Sequence, residues 1–149
     1  MPTREAIVEK IQQAKRTRHL TWKTIAEQIG TGSPVLITAA LLGQMTLTAE
    51  EAAKAATLFS LTEEEAAILT EPPFRGSLPT LPPTDPLLYR FYELLQVYGT
   101  SWKALIEEDF GDGIMSAIDF QMAIEREPDS KGDRVKLILS GKFLPYKRY

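Results

Sequence analysis

Two stretches hold residues whose types and spacing could do chemistry. Arg90 and Glu93 stand three positions apart in TDPLLYRFYELLQVYG, residues 84–99, and Ser116 follows Gly111-Asp112-Gly113 in FGDGIMSAIDF, residues 110–120. A guanidinium cannot shed its charge, so an Arg90 held partly in an apolar setting needs an anion beside it. Glu93 supplies one counter-charge and leaves other donors free for a ligand. The two glycines allow tight turns and close approach of a ligand, and Ser116 then offers a hydroxyl just before a strand. Each feature alone is weak, because an Arg/Glu pair at this spacing is ordinarily a surface salt bridge.

The element that must carry the pair is a helix marked at both ends. Asp85 can cap it, Pro86 suits its first turn, and Gly99 suits the position past its end. At about 100° per residue, Leu87, Leu88, Phe91, Leu94, Leu95 and Tyr98 share one arc, with Tyr89, Glu93 and Gln96 opposite. Arg90 falls at the edge of the apolar arc, beside Leu94.

Composition removes several kinds of site. Among 149 residues there is no cysteine and one histidine, His19, so disulfides, thiolate nucleophiles, Cys-ligated zinc, Ser-His triads and multi-histidine metal sites lose their support. His19 lies among Lys15, Arg16, Arg18 and Lys23 and reads as a solvated helix-end residue. A net charge of −3 gives no general attraction to nucleic acid or anionic membranes. No apolar run reaches the roughly 20 residues that span a bilayer, and the first five residues do not begin a secretory signal, so a cytoplasmic protein is expected.

In chain order, Ile7, Val8, Ile11 and Ala14 recur at helical spacing between Arg4 and Thr17. Thr21 can cap a second helix that closes at Gly30, and Ser33 with Pro34 opens a third that ends at Gly43. Thr48 with Glu51 and Thr62 with Glu65 form two capping-box patterns for a fourth and a fifth. The second and third helices, joined by Thr31-Gly32, read as a helix-turn-helix inside a five-helix bundle of lambda-repressor-like type, residues 1–71. The third helix, however, has no Arg, Lys, Asn or Gln between Ser33 and Gly43 to read bases. Packing or assembly suits it better than DNA recognition.

Residues 71–86 carry six prolines, so 72–86 reads as an extended linker with Phe74 and Leu81 as anchors. Residues 87–149 then form a different domain. Thr100 can cap a second short helix ended by Gly111, with Trp102, Leu105 and Ile106 inward. Ile118, Phe120, Met122 and Ile124 alternate with polar or small residues, and RVKLILS at 134–140 follows a turn-rich connection, so a hairpin is expected. Gly141 and Lys142 read as one more turn into FLPY. The class is α+β. Two helices and a hairpin are too thin to cover their own apolar faces, which predicts dimerisation or higher assembly.

The runs TDPLLYRFYELLQVYG and FGDGIMSAIDF closely resemble the signature segments of the cyanase family (cyanate hydratase, cyanate lyase), and GKFLPY at 141–146 resembles its C-terminal motif. The resemblance covers residues 72–149. The first 70 residues are similar more in helix plan than in motif, TAALLGQ at 38–44 being the closest stretch. By position in those motifs, the family's catalytic arginine, glutamate and serine correspond to Arg90, Glu93 and Ser116.

The resemblance implies bicarbonate-dependent breakdown of cyanate to ammonia and carbon dioxide through carbamate, a detoxification. Bicarbonate is a co-substrate, and neither metal nor organic cofactor is used. It also implies an intertwined C-terminal dimer, a homodecamer built as a pentamer of dimers, and a site shared between subunits. Fixed cationic and hydrogen-bonding groups suit two anions brought together. In that setting Arg90 stabilises charge, Ser116 hydrogen-bonds a substrate atom, and Glu93 either orients Arg90 or handles a proton. The competing reading is a helix-turn-helix DNA-binding regulator with a C-terminal dimerisation domain. A third is an inactive assembly protein that kept the fold.

Overall fold

The structure is a computed structural model that describes residues 1–30 and 32–149. Thr31, the first residue of the predicted turn between the second and third helices, lies outside the described residues. The described elements are α1 (Arg4–Thr17), α2 (Trp22–Ile29), α3 (Pro34–Leu41), α4 (Ala49–Phe59), α5 (Glu63–Ile68), α6 (Pro86–Phe110), β1 (Gly113–Glu127) and β2 (Arg134–Pro145). The strands pair as a two-stranded hairpin, and the α+β class stands. Two compact units result, one of Met1–Gly76 with Ala123–Lys136 and one of Ser77–Met122 with Leu137–Tyr149.

The first five helices begin where short polar side chains can satisfy their leading N–H groups. Thr3, Thr21 and Ser33 accept from Ala6, Thr24 and Val35. Thr48 with Glu51 and Thr62 with Glu65 form complete capping boxes, each side chain bonded to the other's backbone N–H. The apolar stripes so aligned bury Ile7 and Ile11 of α1, Ile25 and Ile29 of α2, Ile37 and Leu41 of α3, Phe59 of α4, and Leu69 after α5. Burial of each such side chain contributes roughly 1.5–3 kcal/mol. Lys10 Nζ reaches Glu65 Oε2 at 2.8 Å, and Arg4 Nη2 donates to the carbonyls of Ile68 and Glu71, so α1 is tied to both ends of α5. Ile37, Ala40 and Leu41 of the would-be recognition helix are core residues.

In the other unit, the two predicted helices are one. α6 runs 25 residues from the Asp85 cap, whose Oδ1 accepts from Leu87 and Leu88, to Gly111. Gly99 and Thr100 lie inside it. A single glycine in a helix costs only about 1 kcal/mol against alanine, and no proline follows to enforce a stop, so the flanking helix formers carry the helix through. The Lys103–Glu107 ion pair supports the second half. The true stop is Gly111, at φ 94°, a conformation that side chains resist. None of the described helices is long and apolar enough to cross a membrane.

The strands are longer than the alternation suggested. β1 starts at Gly113 and so contains Ser116, and β2 continues through Gly141 and Lys142 to Pro145 in place of the predicted turn. Beyond the helix stop, Tyr146 N–H donates to the Asp112 carbonyl at 3.1 Å, and Phe110 and Phe143 rings pack with centroids 5.2 Å apart. The base of the hairpin is thereby fastened to the end of α6.

Candidate active site

Arg90 lies one turn into α6. Its Nη1 stands 3.5 Å from Glu93 Oε2, the limit of a direct hydrogen bond, and its guanidinium carbon lies 5.7 Å from the centroid of the Tyr89 ring. Helical spacing explains both neighbours: Glu93 is three residues on and Tyr89 is adjacent. A guanidinium has five N–H donors, and Arg90 commits one, at long range, to a protein partner among the described residues. In this chain the Arg90 side chain is 62% exposed and that of Glu93 52% exposed. The partial burial expected for Arg90 is therefore not supplied by its own chain, and the apolar arc beside it stays partly exposed, Leu94 at 40% and Leu95 at 58%.

Ser116 is the opposite case: it is buried. Its Oγ accepts from the backbone N–H of Ile118 at 3.0 Å and of Asp119 at 2.9 Å. A flat strand would carry the Asp119 N–H about 10 Å away along its axis, so β1 is bulged between 116 and 119. A hydroxyl has two acceptor positions and one proton to donate. With both acceptor positions filled by N–H groups, the remaining function of Ser116 is donation.

The structure thus joins Arg90 to Glu93. Among the described residues, Ser116 bonds to its own strand and to neither of them. Its environment was invisible to pattern reading, since the bulge depends on the opposing strand. The Tyr89 ring beneath Arg90 was also missed, having been placed on the helix face opposite the apolar arc. Further along, Tyr92 Oη accepts from Gln96 Nε2 at 2.8 Å, and the Tyr89 and Tyr92 rings lie 5.9 Å apart, so an aromatic and amide row flanks the pair.

Chemistry and cavity do not coincide in the single chain. A groove of about 900 Å³ in the helical unit is lined by Arg4, Val8, Gln44, Ile68 and Phe74, among others, and by none of the three residues above. Its arginine is bonded to the carbonyls closing α5, a packing role. Among the described residues, no group of three or more His, Cys, Asp or Glu is placed to hold a metal ion.

Both parts of the sequence match known families. Residues 4–73 match the family described as cyanate hydratase, N-terminal, and residues 80–148 the family described as cyanate lyase C-terminal domain. The chain is 58% identical over 146 residues to the cyanate hydratase of Ralstonia pickettii (strain 12J), covering 98% of this chain and 99% of that protein. It is 57% identical over 143 residues to that of Albidiferax ferrireducens, covering 96% and 97%. The crystal structure of cyanase from T. urticae superposes with a TM-score of 0.81 at 36% identity, over 94% of this chain and 97% of that one. Since the matched segments take in the helical bundle as well as α6 and the hairpin, the chain belongs to the cyanate hydratase family along essentially its whole length.

Proposed function

We propose that the chain decomposes cyanate to ammonia and carbon dioxide, with bicarbonate as co-substrate, and so disposes of cyanate. The observation that carries this reading is the presence of Arg90, Glu93 and Ser116 together, in a chain 58% identical to a cyanate hydratase over nearly its full length. Cyanate, bicarbonate and one proton give carbamate and one carbon dioxide. Bicarbonate oxygen attacks the cyanate carbon, and the adduct then breaks its bond to the departing carbon dioxide. A second proton lets carbamate separate into ammonia and another carbon dioxide.

Two monoanions repel each other, and their adduct concentrates negative charge. Arg90 answers this with a permanent cation and a planar fork of donors, and the Ser116 O–H adds a fixed donor. Glu93, paired to Arg90 at 3.5 Å, orients that fork. These residues need no cofactor for their part, and we assign none.

The site is completed by neighbouring copies of the chain, in a decamer made as a pentamer of dimers. Support comes from the open setting of Arg90 and from the large side chains that α6 leaves exposed, including Leu87, Leu95, Tyr98 and Leu105. The deciding experiment measures ammonia released from cyanate by the purified chain, with and without bicarbonate. Release that requires bicarbonate is the expected result. No release under either condition removes the reading.

A further inference from the structure

Ser116 and Gly141 meet across the hairpin. A β-carbon placed on Gly141 would lie 2.6 Å from Met115 Cγ, closer still to the Ser116 carbonyl oxygen, and 3.3 Å from Phe120 Cδ2. Real β-carbons do not approach heavy atoms within 3.0 Å, and the obstacle at Ser116 is backbone, which cannot swing aside as a side chain does. Met115 and Phe120 are five positions apart, about 16 Å along a flat strand. Both reach the same point on β2 only because the residues between them are looped out. The bulge seen in the hydrogen bonds of Ser116 thus has a second, independent sign on the partner strand.

We propose that Gly141 is a positioning residue of the site: its bare backbone lets β2 close on the Ser116 carbonyl and hold the bulge in which the Ile118 and Asp119 N–H groups fix the Ser116 hydroxyl as a donor. A β-carbon at 141 pushes Ser116 away from β2 and opens the clamp. The hydroxyl then regains free acceptor positions and rotates, and a donor aimed at an anion is lost. This inference rests on the cyanate reading for its activity test and on geometry alone for its exchange test.

The test compares the assembled full-length chain with Gly141→Ala, Ser116→Ala and the double variant, each checked for oligomer size by sedimentation. Loss of one oriented donor lowers kcat by about 10²-fold, so Ser116→Ala is expected near that value. Gly141→Ala is expected to lower kcat by about tenfold or more through misplacement of the same group. If Gly141 acts through Ser116, the double variant is no slower than Ser116→Ala alone within about two-fold. A double variant whose loss is the product of the single losses overturns the proposal.

Amide hydrogen exchange supplies a readout that survives a Gly141→Ala chain that does not assemble. In the wild-type chain the Ile118 and Asp119 amides are protected, and in both Ser116→Ala and Gly141→Ala they exchange at least about tenfold faster. Unchanged exchange at both amides overturns the clamp. A wild-type chain that exchanges as expected yet releases no ammonia from cyanate removes the functional reading and leaves the clamp standing.

Discussion

In the proposed reaction the value of Arg90 lies in the shape of its charge. Two anions offer several oxygens to a fork of parallel donors, whereas an ammonium presents one strongly hydrated point. Arg90→Lys is therefore expected to lower bicarbonate-dependent ammonia release by about 10²-fold or more, read from initial rates with saturating substrates. A rate near that of the wild type would remove the role given to Arg90. Motifs in the sequence single out Arg90, Glu93 and Ser116 as candidates, and of their geometry the Arg90–Glu93 pairing was legible through helical spacing. The state of the Ser116 hydroxyl was not, because two backbone N–H groups and a glycine 25 positions away set it. Local pattern has no access to a cross-strand approach of that kind.

Among the elements, the helix starts of the bundle were readable because each cap is a contact within four residues. Glu65 shows how far such a local signal extends. Its carboxylate accepts from Lys10 and from the Thr62 N–H, which hold its pKa below the ordinary carboxylate value. The unfolded chain therefore binds this proton more tightly than the folded one. The stabilisation is complete above the ordinary value and is lost as pH falls through the depressed folded value. Glu65→Gln is expected to cost about 1 kcal/mol at neutral pH, and the gap should close in acid, as urea unfolding of both chains at neutral and acidic pH would show. A gap that persists unchanged in acid would contradict this. The α6 boundary was misread because Gly99 carries a stop signal that nothing after it reinforces. Gly99→Pro tests the continuous helix: a proline in a helix interior costs about 3 kcal/mol or more, whereas at a true boundary it is tolerated. Thermal unfolding of that variant should show a clear fall in midpoint.

For the molecule as a whole, the uneven distribution of apolar surface is the leading fact. Among the described residues, every buried hydrophobic core residue lies between Ile7 and Leu69, while α6 buries none of its residues within its own chain. Sparse coverage of the C-terminal part was expected from its few elements, but which faces would close against a second copy in the proposed assembly is fixed by no pattern in one chain. Leu95, 58% exposed on the arc beside Arg90, is a direct probe. Placing a carboxylate in an apolar contact is strongly unfavourable. Leu95→Asp is thus expected to yield smaller species in sedimentation and to lose activity with them. Full-size assembly at normal activity would show that this arc is not an interface.

The same distribution sets an order of events during folding. The bundle closes by contacts within one chain, a unimolecular process, whereas in the proposed assembly α6 waits for an encounter with another chain. The two tryptophans divide between these regions, Trp22 in α2 and Trp102 in α6. After dilution from denaturant, Trp22 fluorescence, isolated in Trp102→Phe, should recover at a rate indifferent to chain concentration. Trp102 fluorescence, isolated in Trp22→Phe, should recover faster as concentration rises. A newly made chain would then pass through an interval in which its bundle is folded and its chemistry has not begun.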